Sequence, residues 1–86
     1  MVRKQTIVKN PSGLHARPAS QLVELCKGFE CKIKLESGDK TCDAKSIFSV
    51  LRCCIKIGDT VVVSTEGPDE EIAATDVIKF IEALEE

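Results

Sequence analysis

The chain contains one histidine, His15, and it stands in the run Asn10-Pro11-Ser12-Gly13-Leu14-His15-Ala16-Arg17-Pro18-Ala19-Ser20, between a turn-forming loop and the start of a helix. The first N–H groups of a helix have no acceptor within it and lie at the positive end of its dipole, so a residue just ahead of it looks onto a place suited to an anion. Arg17 adds a planar guanidinium that matches phosphate oxygens. Neutral imidazole carries a lone pair on one ring nitrogen and is a nucleophile. Attack on a phosphoryl group would give a phosphoramidate whose oxygens are held by the backbone N–H groups of Ala16 and Arg17 and by the Arg17 guanidinium, with no metal or cofactor required. A lone histidine is by type more often a surface or packing residue; position singles this one out. Turnover would need a substrate pocket and a second catalytic group, neither of which is evident, whereas a carrier needs only an exposed nucleophile and a docking face.

Ser46 is the second candidate. It precedes an apolar stripe of Ile47, Val50, Leu51 and Cys54 and reads first as a helix N-cap, worth about 1 kcal/mol. A phosphate of roughly minus 1.5 to minus 2 at that place would leave the helix folded and repel an acidic partner. Phe48 lies off the stripe. Exposed, it would join Ile47 and Leu51 beside His15 and Arg17 in an apolar centre rimmed by Lys27, Lys45 and Arg52, the anatomy of a transient docking patch; buried, it would belong to the core. The five cysteines, Cys26, Cys31, Cys42, Cys53 and Cys54, are odd in number and lack C-x-x-C or zinc-like spacing. Reduced thiols packed as small apolar side chains are expected, and no metal site.

These residues need a scaffold, and 86 residues suffice for a single domain spanning 1–86 that buries only roughly 60–65 % of its unfolded surface, which places the working site on the surface. With no Trp, no Tyr and three Phe, no stacking platform for nucleic acid exists. The longest apolar runs, Val61 to Val63 and Cys53 to Ile55, fall far short of the ~20 residues that span a bilayer. The N-terminal residues carry no signal-peptide pattern, so a cytoplasmic protein is expected. Net charge is minus 2, unevenly spread: residues 1–56 hold 11 Lys and Arg against 5 Asp and Glu, and residues 57–86 hold 1 against 9. A basic face that steers toward an acidic partner is the functional reading, solubility alone the bland one.

Val2 to Val8 is a candidate strand. Ala19, Leu22, Val23 and Cys26 form a helical stripe that opens with Pro18 in its first turn and stops at Gly28, where a left-handed residue is easiest. Cys31, Ile33 and Leu35 alternate with charged residues, a strand with one buried face, and Ser37-Gly38-Asp39-Lys40 turns it back into a short strand at Thr41 to Asp43. The short helix after Ser46 follows, then Thr60 to Thr65, the most β-like run and the expected central strand. A last helix opens at Gly67-Pro68-Asp69, with Asp69, Glu70 and Glu71 at its positive end and Ala73, Val77, Phe80, Ile81 and Leu84 facing inward. The order β-α-β-β-α-β-α predicts an α+β two-layer sandwich, a four-stranded antiparallel sheet with three helices on one face.

The run from Asn10 to Ser20 resembles the active-site signature of HPr, the histidine-containing phosphocarrier family of the bacterial phosphoenolpyruvate-dependent sugar phosphotransferase system. Length, element order and a second signature around Lys45-Ser46-Ile47 extend the resemblance over the whole chain. It implies an open-faced β-sandwich in which His15 accepts a phosphoryl group on Nδ1 from phosphorylated enzyme I and passes it to the A domains of sugar-specific enzyme II permeases. It also implies a cytoplasmic monomer that neither enters the membrane nor contacts nucleic acid directly. In family members of Gram-positive type the serine matching Ser46 is phosphorylated by the HPr kinase/phosphorylase, and the product is a corepressor of the catabolite control protein. Two alternatives lie within the family: the nitrogen-related phosphocarrier, and a mainly regulatory corepressor acting through Ser46. The catabolite-repression paralogue lacks the active-site histidine, which counts against the second. The chain departs from the family pattern at Ser49, where Gly is common, and at Arg52-Cys53-Cys54, where a small or Gly-containing segment is usual.

Overall fold

A computed structural model describes residues 1–85. Its elements are β1 (Val2–Ile7), α1 (Ala16–Lys27), β2 (Lys32–Ser37), β3 (Lys40–Asp43), α2 (Ile47–Arg52), β4 (Thr60–Glu66) and α3 (Glu70–Ala83). The strands form one sheet in the order β1-β4-β2-β3, and every neighbouring pair is antiparallel. β4 therefore lies inside the sheet, as its run of β-branched residues predicts, with Val63 opposite Lys4 on one side and Leu35 on the other. The period-2 pattern of β2 sets the register: Ile33 and Leu35 go inward, Lys32 and Lys34 outward, and a slip of one residue would reverse them.

The inward face of the sheet meets Leu22, Val23 and Cys26 of α1, Val50 of α2, and Ala73, Val77 and Ile81 of α3 in one apolar cluster. Burying a side chain such as Leu22, which is 0 % exposed, contributes about 1.5–3 kcal/mol. The other face stays open to solvent, where Arg3 of β1 reaches across β4 to form a paired ion contact with Glu36 of β2, at 2.9 and 3.3 Å. Fold class and element order agree with the sequence-based expectation.

Several local expectations need correction. Gly28 is not left-handed: its φ is −75°, and α1 closes by tightening, the Gly28 N–H bonding the Leu25 carbonyl at 3.2 Å. Bonds of this i−3 type leave the last carbonyls paired without a positive φ. Cys54 does not lie on the inner stripe of α2. That helix ends at Arg52, the next two amides again bond three residues back, and the change of phase turns Cys53 inward while Cys54 faces solvent at φ 51°. On α3, Phe80 and Leu84 are only half-buried, and Ala74 takes a core place. Asp69 occupies the N-cap position of α3 yet makes no side-chain bond to its own helix. Its carboxylate accepts instead from the Glu30 and Cys31 amides, each at 2.9 Å, and ties the start of β2 to the end of β4.

Candidate functional site

His15 is the N-cap residue of α1, with φ −80° and ψ −169°, and its side chain makes no capping bond. Its carbonyl accepts the Ala19 N–H at 2.8 Å. Pro18 has no N–H, so the amide donors at this helix start are those of Ala16 and Arg17. A histidine ring cannot easily fold back on the first turn as a short Ser or Asp side chain does; the imidazole stands outward and His15 and Arg17 are both exposed.

The loop ahead of the helix is held from below. Asn10 is 3 % exposed; its Nδ2 donates to the Gly13 carbonyl at 2.9 Å, and the Gly13 N–H returns a bond to the Asn10 carbonyl at 3.1 Å. Leu14 is buried, and its N–H donates to the Ile55 carbonyl at 3.0 Å. Gly13 has φ 58°, and a Cβ there would stand 2.6 Å from both the Ile55 oxygen and the Lys56 Cα, closer than atoms can approach. Only glycine combines that conformation with that contact. The His15 loop is thus fastened to the segment joining α2 and β4. Between them lies an open hollow of about 480 Å³ lined by His15, Ser12, Ala16, Leu51, Cys54 and Lys56, among others.

Sequence reasoning singled out neither Asn10 nor the 55–56 segment. An Asx residue opening a Pro-Ser-Gly turn was a usable local signal for Asn10. The contact with residues 55–56 is long-range and leaves no trace in local pattern.

Ser46 is the N-cap of α2: its hydroxyl accepts the Ser49 N–H at 3.4 Å and its carbonyl the Val50 N–H at 3.0 Å. Ser49 uses its own hydroxyl to accept the Asp43 N–H at 2.9 Å and so secures the end of β3. Phe48 is 75 % exposed and Leu51 37 %, while Ile47 packs half-buried against the core. Lys27 and Arg52 are exposed. Lys45 differs from them. It is half-buried, and its ammonium donates to the Phe29 carbonyl at 2.6 Å, just past the end of α1.

All five cysteines are free thiols; Cys26, Cys31, Cys42 and Cys53 are buried and Cys54 exposed. Burial pushes the Cys26 thiol up to about 12 and Cys42 to about 12, where the neighbouring Cys53 adds to the effect. Burial, with the Asp69 carboxylate beside it, raises Cys31 to about 11. These thiols stay protonated near neutrality and serve as packing groups. Among the described residues no helix is long and apolar enough to cross a membrane.

Known proteins resemble this arrangement over its full extent. The family model "PTS HPr component phosphorylation site" matches residues 2–83. The phosphocarrier protein HPr of Borreliella burgdorferi is 38 % identical over 86 residues, covering 100 % of both chains. The HPr-like protein Crh of Halalkalibacterium halodurans is 42 % identical over 82 residues, 95 % of this chain and 98 % of that one. Among solved structures, an HPr from Thermoanaerobacter tengcongensis superposes with a TM-score of 0.92 at 36 % identity, covering 96 % of this chain and 93 % of the other. With a histidine at the vacant cap of α1, the open sandwich that presents it, and a family match across nearly every residue, the chain belongs to the HPr phosphocarriers of the phosphotransferase system.

Proposed function

We propose that the protein carries a phosphoryl group on His15, taken from phosphorylated enzyme I and given to the A domains of sugar-specific enzyme II permeases, in the cytoplasm. The observation that carries this reading is the exposed His15 side chain at an N-cap position it does not use. In the transfer, a ring-nitrogen lone pair forms the N–P bond while the bond from phosphorus to the donor atom breaks and leaves its electron pair on the donor. No metal and no redox partner enter. The developing charge on the phosphoryl oxygens is met by the Ala16 and Arg17 amides at the helix start and by the Arg17 guanidinium. The onward step is the same displacement with the roles exchanged.

Docking uses the exposed Phe48 and Leu51 with Ile47 beneath them, and the charges of Lys27 and Arg52 at the rim. Lys45 contributes less to this rim, because its ammonium is already bonded to a carbonyl. Incubation with phosphoenolpyruvate and enzyme I, followed by mass measurement, tests the carrier role. An acid-labile gain of one phosphate that is absent in His15→Ala supports it; a gain that survives in His15→Ala rejects it.

A regulatory role for Ser46 accompanies this one. It is favoured by the position of the hydroxyl at the start of α2, beside the docking residues, and by the likeness to a Crh protein. Phosphorylation by HPr kinase/phosphorylase would add negative charge among the rim cations and weaken docking of an acidic enzyme I, and the product would serve as corepressor of the catabolite control protein. Ser46→Asp is expected to accept phosphate from enzyme I several-fold more slowly at low salt, with the difference shrinking as salt rises. An unchanged rate at low salt would remove the electrostatic basis of the regulation.

A further inference from the structure

Twelve Lys and Arg residues are spread over the chain, and among the described residues Lys56 is the one that lines the hollow beside His15. Its place is fixed by backbone, not by chance rotamers. The Gly13 contact brings the Lys56 Cα against the His15 loop, and the Leu14 N–H bonds the Ile55 carbonyl immediately before it. On the other flank, the Lys56 N–H donates to Asp59 Oδ2 at 3.0 Å and the Lys56 carbonyl accepts the Asp59 N–H at 3.0 Å, which closes a tight turn. Among the described residues the Lys56 ammonium meets no carboxylate and no carbonyl. An exposed lysine with a rigid root, an unengaged head and a wall in common with the phosphoryl acceptor is placed to meet a dianion arriving in that hollow.

We propose that Lys56 is a second phosphoryl-binding cation: its ammonium closes on the phosphoryl oxygens of phosphorylated His15 from the hollow the two residues share. The inference rests on the carrier reading of His15. No bond is made or broken by Lys56; it acts as a point charge that favours the phosphorylated form over the free one and so sets the phosphoryl-transfer potential of the carrier. An ammonium near a dianion at a partly solvated surface contributes through Coulomb attraction that salt weakens.

The test is the equilibrium between enzyme I and the full chain, read as the ratio of phosphorylated to free carrier at fixed phosphoenolpyruvate and pyruvate. Lys56→Gln is expected to lower the equilibrium constant for carrier phosphorylation by about 3- to 10-fold at low salt, and Lys56→Arg to restore it. Lys79→Gln on α3, which removes the same charge from a remote exposed site, is expected to leave it unchanged. In the phosphorylated chain, Lys56→Gln should also move the 31P resonance and its titration, a change that mere weakening of partner docking would not produce. Equal constants for Lys56→Gln and Lys79→Gln, or a 31P signal indifferent to Lys56, would overturn the proposal. Should the parent chain take no phosphate at all, the carrier reading fails first, and the two failures are told apart.

Discussion

The starts of α1 and α2 share a backbone plan and are left in opposite states. His15 and Ser46 both hold N-cap positions with extended backbone, and both carbonyls accept the first helical bond, at 2.8 and 3.0 Å. The Ser46 hydroxyl also takes an amide of its own helix, whereas the His15 ring takes none. One helix end is closed by the side chain of its own cap residue; the other is not. An unused cap forgoes about 0.5–2 kcal/mol of helix stability, and the loss falls at the position where an anion can make the missing contacts. The start of α3 shows a third arrangement, in which the cap residue Asp69 turns its carboxylate to another element. N-cap position alone does not define a site. What distinguishes α1 is a nucleophilic side chain that leaves the position vacant, on a loop that cannot shift.

That rigidity can be broken directly. Gly13→Ala forces a Cβ into the Ile55 carbonyl and Lys56 Cα in a left-handed conformation and is expected to cost about 1–3 kcal/mol, from overpacking and strain together. Urea unfolding measures it, and transfer to His15 should fall as well because the loop carries the ring. A loss below a few tenths of a kcal/mol would show that the loop adapts and that the contrast with α2 is not structural.

The contrast itself is sharpened by exchanging the caps. His15→Ser should supply α1 with the missing bond and stabilise the fold by about 0.5–1 kcal/mol while abolishing phosphoryl acceptance; Ser46→Ala should destabilise by about 0.5–1 kcal/mol, the low end befitting a 3.4 Å bond. Paired denaturation curves check both signs. If His15→Ser proves less stable than the parent, the cap of α1 is not vacant in solution.

Much of this contrast was legible beforehand. The hydrophobic periods of α1 and β2 are strong because each element buries one well-defined face, β4 is marked by its run of β-branched residues, and the loop-then-helix context places His15 at a helix start, where the structure has it. What local pattern misread lies at element ends, where one hydrogen bond decides the phase. At Gly28 and Cys54 the chain tightens to i−3 bonds, which propensity does not encode. The underpinning of the site by Asn10, Ile55 and Lys56 depends on two segments about forty positions apart meeting backbone to backbone, and the engagement of Lys45 with Phe29 is equally non-local.

The smallest effect concerns α3. Amide bonds from Glu30, then Cys31, hold the Asp69 carboxyl below its ordinary 3.8. A carboxyl lowered in the folded state stabilises above its unfolded value, and that contribution is lost as pH falls through the folded one. The parent should therefore lose stability on the acid side more steeply than Asp69→Asn, as thermal melts between neutrality and strong acid would register; parallel curves would mean that the cap residue of α3 contributes nothing across elements.

The most direct measurement is the 31P spectrum of the chain after incubation with phosphoenolpyruvate and enzyme I. A phosphoryl group held at the open end of α1 gives a phosphoramidate resonance that vanishes in mild acid and is missing from His15→Ala. An acid-stable phosphate ester, or a resonance that persists in His15→Ala, would place the phosphate elsewhere and contradict the assignment of His15.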